Sequence, residues 1–129
     1  MKICHVAIYT RNLVQLKNFY TKYFDGKANE LYHNKQKGFS SYFIQFEVGA
    51  TLELMTNANG LRDEKKEELM TGYAHIAFSV GNQQAVDTLT ARIRKDGYIV
   101  ASEPRVTGDG YYESCILDPD GNRVEITCD

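Results

Sequence analysis

Four residues in this chain have the types and the spacing to do chemistry together. His5 and Glu53 lie 48 residues apart, and His75 and Glu125 lie 50 apart. The two His residues sit in closely similar surroundings, His5-Val6-Ala7-Ile8 in the first half and His75-Ile76-Ala77-Phe78 in the second. The two Glu residues are likewise flanked by branched aliphatics, as Leu52-Glu53-Leu54 and Val124-Glu125-Ile126. Two imidazoles and two carboxylates make four nitrogen and oxygen donors, a set that suits a first-row divalent cation and leaves room for water or substrate. A lone His or Glu of this kind carries little weight. Four of them at matched positions of an internal repeat carry much more, because chance does not align such residues twice.

The elements that must position these side chains can be read from pattern. Residues 3–10 are rich in β-branched residues and predict a strand, and Asn12 is placed to cap a helix over 13–24. In that helix Leu13, Leu16, Tyr20, Tyr23 and Phe24 recur at helical spacing with Phe19 beside them, so one face must be buried. A short segment near 28–33 and strands at 39–48 and 50–56 follow, with a tight turn at Gly49. Residues 57–72 turn abruptly polar and charged and read as a linker with a helical turn or two at 63–70; the charge run Arg62 to Glu68 is a solvated face. The order then restarts: a strand at 73–80, a helix capped by Asn82 with Val86, Leu89 and Ile93 on one face and Gly97 at its end, and strands near 98–106, 111–117 and 123–128. The reading is therefore an α+β fold of paired βαβββ modules: 1–57 the first, 58–72 the linker, 73–129 the second, within a single domain spanning 1–129.

Alternation along a strand sends successive side chains to opposite faces. Cys4, Val6 and Ile8 thus share one side and His5, Ala7 and Tyr9 the other; Ile76 and Phe78 oppose His75, Leu52 and Leu54 oppose Glu53, and Val124 and Ile126 oppose Glu125. Each His and each Glu points away from the side a helix should cover. A metal site follows.

Composition narrows the classes. Of the 129 residues, 43% are hydrophobic and 25% charged, the balance of an ordinary folded protein rather than a disordered one. A formal charge of −2 provides no field that would draw the chain onto phosphate backbones or anionic lipid, so no nucleic-acid partner is expected. No run approaches the ~20 apolar residues of a membrane span, and no signal-type segment opens the chain, so the expected location is cytoplasmic, with no membrane partner. Cys4, Cys115 and Cys128 form an odd set without a C-x-x-C, which predicts reduced thiols in or near the core rather than a disulfide framework or a thiolate zinc site.

On these residues the chain resembles the vicinal-oxygen-chelate superfamily (glyoxalase/bleomycin-resistance/dihydroxybiphenyl-dioxygenase-like), and within it the bacterial glyoxalase I enzymes, the lactoylglutathione lyases. The resemblance runs from His5 to Val124-Glu125-Ile126. It implies that His5, Glu53, His75 and Glu125 ligate the metal, Ni²⁺ or Zn²⁺. It also implies isomerisation of a methylglyoxal–glutathione hemithioacetal to the 2-hydroxyacyl thioester through an enediolate, a methylglyoxal detoxification. Proton removal beside a carbonyl is what a Lewis-acidic cation and an adjacent carboxylate can achieve together, with Glu125 as the preferred base and Glu53 as the second candidate. A homodimer is implied, with the modules paired within one chain or exchanged with a second. Asn57, four residues beyond Glu53, matches the resemblance's glutathione-binding Asn. Tyr9 stands where its partner Arg is expected, with Arg11 two places on, which leaves the identity of the thiol open.

Other features are set aside. Asp118, Asp120 and Asn122 have the opening spacing of a calcium loop, but Gly121 is in the fourth place and no Glu follows at the twelfth, so a hairpin turn is expected. Gly108-Asp109-Gly110 lacks the ending of a phosphate loop and reads as a turn that could border the pocket. His33 reads as a solvated loop residue. Two other functions stay in view: another metalloenzyme of the superfamily, whether an epimerase, a thiol transferase or a dioxygenase, and a metal-free module that binds small molecules or antibiotics.

Overall fold

The computed structural model describes residues 1–62 and 71–128. The chain divides into two compact units, Met1–Glu64 and Lys65–Asp129, each a sheet covered on one face by one helix. The helical turn expected at 63–70 lies outside the described residues.

In the first unit, strand β1 (His5–Tyr9) leads into helix α1 (Leu13–Tyr23). The predicted cap is in place: the Asn12 side chain accepts a hydrogen bond from the Gln15 backbone N–H at 3.0 Å. Thr10, which is buried, accepts from the Asn12 N–H and donates its own backbone N–H to the Met55 carbonyl, which fixes the path from strand to helix. Short strands β2 (Lys27–Ala28) and β3 (Tyr32–Asn34) pair with successive stretches of β4 (Phe39–Gln45), and β4 with β5 (Thr51–Asn57). The single short segment expected near 28–33 is thus one edge position broken in the middle. Asn29 causes the break, since its amide oxygen, not a backbone carbonyl, accepts from the Phe43 N–H. The sheet order is β1-β5-β4-β2, with β3 also on β4. His33 is therefore a strand residue rather than a loop residue, with its Nδ1 2.7 Å from Ser40 Oγ.

The second unit repeats the order with β6 (His75–Ser79), α2 (Gln83–Lys95), β7 (Val100–Val106), β8 (Tyr112–Leu117) and β9 (Arg123–Cys128), in sheet order β6-β9-β8-β7. Asn82 caps α2 by accepting from the Ala85 N–H. The helix ends in a Schellman arrangement: Tyr98 N–H reaches the Ile93 carbonyl, Gly97 N–H the Arg94 carbonyl, and Gly97 adopts φ 94°.

Each core lies between helix and sheet. Leu16, Phe19, Tyr20 and Tyr23 of α1 are buried, as are Ile44, Leu52 and Leu54; in the second unit Val86 and Ile93 of α2 are buried, with Ile116, Val124 and Ile126. Fully burying such a side chain contributes roughly 1.5–3 kcal/mol, which outweighs the weak strand and helix propensities of these short elements. Leu89, expected on the buried stripe, is only half-buried, and Thr90 takes the buried position instead. Its hydroxyl donates to the Val86 carbonyl and lies 2.7 Å from the buried Ser114 Oγ, so neither polar group is stranded. Among the cysteines the expectation fails at one position: Cys115 and Cys128 are buried, but Cys4, which precedes β1, is exposed. No helix among the described residues is long and apolar enough to cross a membrane.

Candidate active site

The strand pairing explains why a His and a Glu nearly fifty residues apart come together. β1 runs parallel to β5 with Ala7 opposite Glu53 and His5 opposite Thr51. β6 runs parallel to β9 with Ala77 opposite Glu125 and His75 opposite Arg123. In both units the His and Glu are diagonal neighbours on one sheet face, with a small alanine between them and no bulk to keep them apart. The face is the one away from the helix: Val6, Ile8, Leu52 and Leu54 are covered or partly covered, while His5, Ala7 and Tyr9 are exposed, and the second unit repeats the alternation.

His5 Nε2 lies 3.8 Å from Glu53 Oε2, and His75 Nε2 lies 3.1 Å from Glu125 Oε2. The imidazoles are about half exposed, at 48% and 42%, and the carboxylates much less so, at 15% and 21%. Donors held at ~2.0–2.2 Å from one ion stand ~3.0 Å apart at a right angle and ~3.5 Å apart in a tetrahedron. The second pair therefore already has the spacing of two ligands on one cation, and the first is a few tenths of an ångström wide. The donor set fits a divalent metal. The structure brings the four sequence-predicted ligands together two by two; among the described residues no group of three or more His, Cys, Asp and Glu side chains converges.

The surroundings of the two pairs differ. Beside the first, Phe43 is directly opposite Glu53, and its ring meets the His5 imidazole edge-on with centroids 5.8 Å apart. That contact orients the imidazole without taking up a ring nitrogen. Beside the second, Cys115 is opposite Glu125, and Arg123 Nη1 lies 3.8 Å from its Sγ. Burial pushes the Cys115 thiol up, with Arg123 opposing, so the sulfur remains a neutral wall of the site.

Asn57 is on the same face as Glu53 at the end of β5, where its side-chain oxygen accepts from the Asn59 N–H at 2.9 Å and closes the turn. Tyr9 is exposed on that face opposite Met55, and Arg11 reaches away to the Leu61 carbonyl. The segment Asp118–Asn122 is the hairpin turn expected. The Asp118 carboxylate accepts from the backbone N–H groups of Asp120 and Asn122 and from the Asn122 side chain, so its oxygens are turned inward to the loop. Gly108-Asp109-Gly110 is likewise a turn, closed by the Thr107 and Gly110 backbone bonds.

One residue of the face escaped the sequence reading. Glu113 shares the side of β8 with Cys115, opposite Thr127, and feels the charges of both Glu125 and His75. Its carboxyl is raised from its ordinary value, first by desolvation and then by Glu125, with Arg105 and His75 opposing. Alternation along 111–117 was the available signal, since Ser114 and Ile116 face the helix and so send Glu113 and Cys115 to the other side.

Comparison with known proteins agrees with this architecture. A model of the Glyoxalase/Bleomycin resistance protein/Dioxygenase superfamily matches residues 2–126. The chain is 29% identical to the lactoylglutathione lyase of Escherichia coli O157:H7 over 130 residues, 98% of this chain and 91% of that protein, and equally so to the lactoylglutathione lyase of Shigella flexneri. Among solved structures it is similar to the trypanothione-dependent glyoxalase I of Leishmania major (TM-score 0.77, 22% identity, 99% of this chain and 86% of that one). It is also similar to a glyoxylase/bleomycin resistance protein/dioxygenase domain from Frankia sp. EAN1pec (TM-score 0.81, 21% identity, 99% and 97%). With a family model spanning nearly the whole length and the repeated sheet-and-helix units it requires, the chain belongs to the glyoxalase/bleomycin resistance/dioxygenase superfamily.

Proposed function

We propose that the two His–Glu pairs are halves of one metal site in a single domain spanning 1–129, and that the protein is a glyoxalase I-like lyase. On this reading it isomerises the hemithioacetal of a 2-oxoaldehyde and a thiol, methylglyoxal with glutathione in the first instance, to the 2-hydroxyacyl thioester. The observation that carries the reading is the repeated diagonal His–Glu placement on parallel strands, His5 with Glu53 and His75 with Glu125. Kinship with lactoylglutathione lyases supports the reaction class.

His5, Glu53, His75 and Glu125 would hold Ni²⁺ or Zn²⁺. When bound, such an ion supplies Lewis-acid stabilisation to the vicinal oxygens of the substrate. Glu125 takes the proton from the carbon next to the carbonyl and returns it to the neighbouring carbon, while the hydroxyl proton passes from the first oxygen to the second, leaving the sulfur on the newly formed acyl carbon. Glu53, of similar low exposure, is the second candidate for that proton. Phe43 and Cys115 flank the two carboxylates with neutral surface. Asn57 would contribute to thiol binding through the part of its amide not used in the Asn59 turn. A cytoplasmic homodimer, its modules paired within or between chains, completes the reading, with a small molecule as the only ligand class.

The test is turnover. Metal-loaded protein is mixed with preformed methylglyoxal–glutathione hemithioacetal, and thioester formation is followed by absorbance, then repeated with other thiols. Thioester formation that disappears on chelation supports the reading; an untouched hemithioacetal with every thiol refutes it. A dioxygenase is the poorer alternative, because a second carboxylate at Glu53 fills a position that two-His, one-carboxylate sites leave open.

A further inference from the structure

The repeat supplies an internal control for every position on the site face. Phe43 opposite Glu53 corresponds to Cys115 opposite Glu125, so two residues back along the strand Ser41, opposite Met55, corresponds to Glu113, opposite Thr127. The row through Ser41 reads Tyr9, Met55, Ser41, Tyr32, and the corresponding row of the second unit reads Ser79, Thr127, Glu113, Arg105. One row is uncharged; the other carries a carboxylate and a guanidinium.

Folding does not require an acid at this position, because the first unit builds the same sheet with a buried serine there. A carboxylate in its place is disfavoured by partial desolvation and by the negative charge of Glu125 and Asp109, with Arg105 and His75 opposing through space. Among the described residues nothing offsets that cost by direct bonding. Arg105 stands opposite Glu113 in register, but its Nη1 donates to Ser102 Oγ at 2.6 Å, and among the described residues the Glu113 carboxylate has no hydrogen bond or ion pair. A partly desolvated carboxylate one row from the reacting centre, with Arg105 acting on it only through space, is placed to meet a charge on the ligand.

We propose that Glu113 is a specificity-determining residue, selecting substrates whose thiol portion carries a cationic ammonium group over those whose thiol portion is anionic. The proposal rests on the hemithioacetal reading above and narrows its thiol: glutathione, with two carboxylates and one ammonium, is net anionic and falls on the disfavoured side, so a net cationic thiol is the expected partner. The selection is electrostatic, exerted on the substrate's remote part, and leaves the proton transfer at Glu125 to the same residues as before.

The test is a charge series of small thiols that form ordinary hemithioacetals with methylglyoxal: thiocholine (cationic, with no free amine to condense), 2-mercaptoethanol (neutral) and 3-mercaptopropionate (anionic). The readout is the ratio of kcat/KM for the thiocholine adduct to that for the mercaptopropionate adduct, in wild type, Glu113→Gln and Glu113→Asp. Taking the ratio cancels any difference in the folded or metal-loaded fraction. A unit charge several ångströms from the ligand at the effective dielectric of a protein surface predicts a ratio about tenfold lower in Glu113→Gln, and largely kept in Glu113→Asp. Parallel loss with both adducts, leaving the ratio as in wild type, would mean a purely structural role and overturn the proposal. A wild-type ratio below one would overturn it as well. The glutathione adduct, run alongside, reports on the parent reading separately: if it turns over while none of the three small adducts does, the selectivity proposal alone falls, and if none of the four turns over, the parent reading fails with it.

Discussion

The buried hydroxyl pair between α2 and β8 gives a sharp test of how the second unit holds its sheet in place. Thr90 Oγ1 and Ser114 Oγ lie 2.7 Å apart with both residues essentially inaccessible, and Thr90 also donates to the Val86 carbonyl. Thr90→Val keeps the volume but strands the Ser114 hydroxyl away from water. Its expected cost is about 1–3 kcal/mol, the penalty for a buried polar group that loses its partner. Ser114→Ala should cost less, about 0.5–1.5 kcal/mol, because Thr90 retains its bond to Val86. In the double variant neither orphan remains, since one oxygen is gone and the other is replaced by a methyl. Its destabilisation should therefore fall short of the sum of the single costs by about 1 kcal/mol, the coupling of a contacting pair. Urea unfolding of the four proteins followed by circular dichroism measures this directly; at this chain length each kcal/mol also moves Tm by roughly 3–5 °C. Strict additivity would refute the reasoning, because it would mean that the two hydroxyls do not satisfy each other.

Other outcomes follow from the same packing and site. Gly26→Ala should destabilise by about 1–3 kcal/mol in urea unfolding, since a Cβ there would overlap the buried Ile44 and come 3.0 Å from the Phe46 ring. Thiol labelling at pH 8 should modify Cys4 fast and Cys115 slowly, because the first is exposed and burial raises the thiol pKa of the second; equal rates, read by mass spectrometry, would contradict the burial. Glu125→Gln should retain much of its metal while losing turnover of the hemithioacetal, and wild-type activity in that variant would remove Glu125 as the base. Because the Glu113 carboxyl is raised in the folded state, folding favours its protonated form, so stability should fall as pH rises from its unfolded value through its folded one. Glu113→Gln should flatten that decline in a pH series of unfolding curves.

Much of this architecture was legible in the sequence because its signals are local. Asn12 and Asn82 announce the helix starts, and the structure shows each side chain on the N–H three residues on. Period-two alternation put His5 and Glu53 on the open face, and the exposure along β1 and β5 follows that count. What escaped was set by tertiary context. Thr90 is polar and so fell outside an apolar stripe, yet it is buried because Ser114 waits across the interface. The edge strand broke at Asn29 because a side chain replaced a backbone acceptor, an event that propensity does not encode. Glu113 carries no repeat signal, because it lies on β8, which bears neither the repeated His nor the repeated Glu, and its counterpart in the first unit is Ser41.

The central proposal is that the His5–Glu53 and His75–Glu125 pairs serve one cation, and metal stoichiometry tests it most directly. Purified wild type, His5→Ala and His75→Ala would be titrated with Ni²⁺ and with Zn²⁺, and bound metal per chain counted after removal of excess. The account predicts one tight ion per chain in the wild type and its loss in both variants. Two ions per wild-type chain, with each variant losing only one of them, would contradict it.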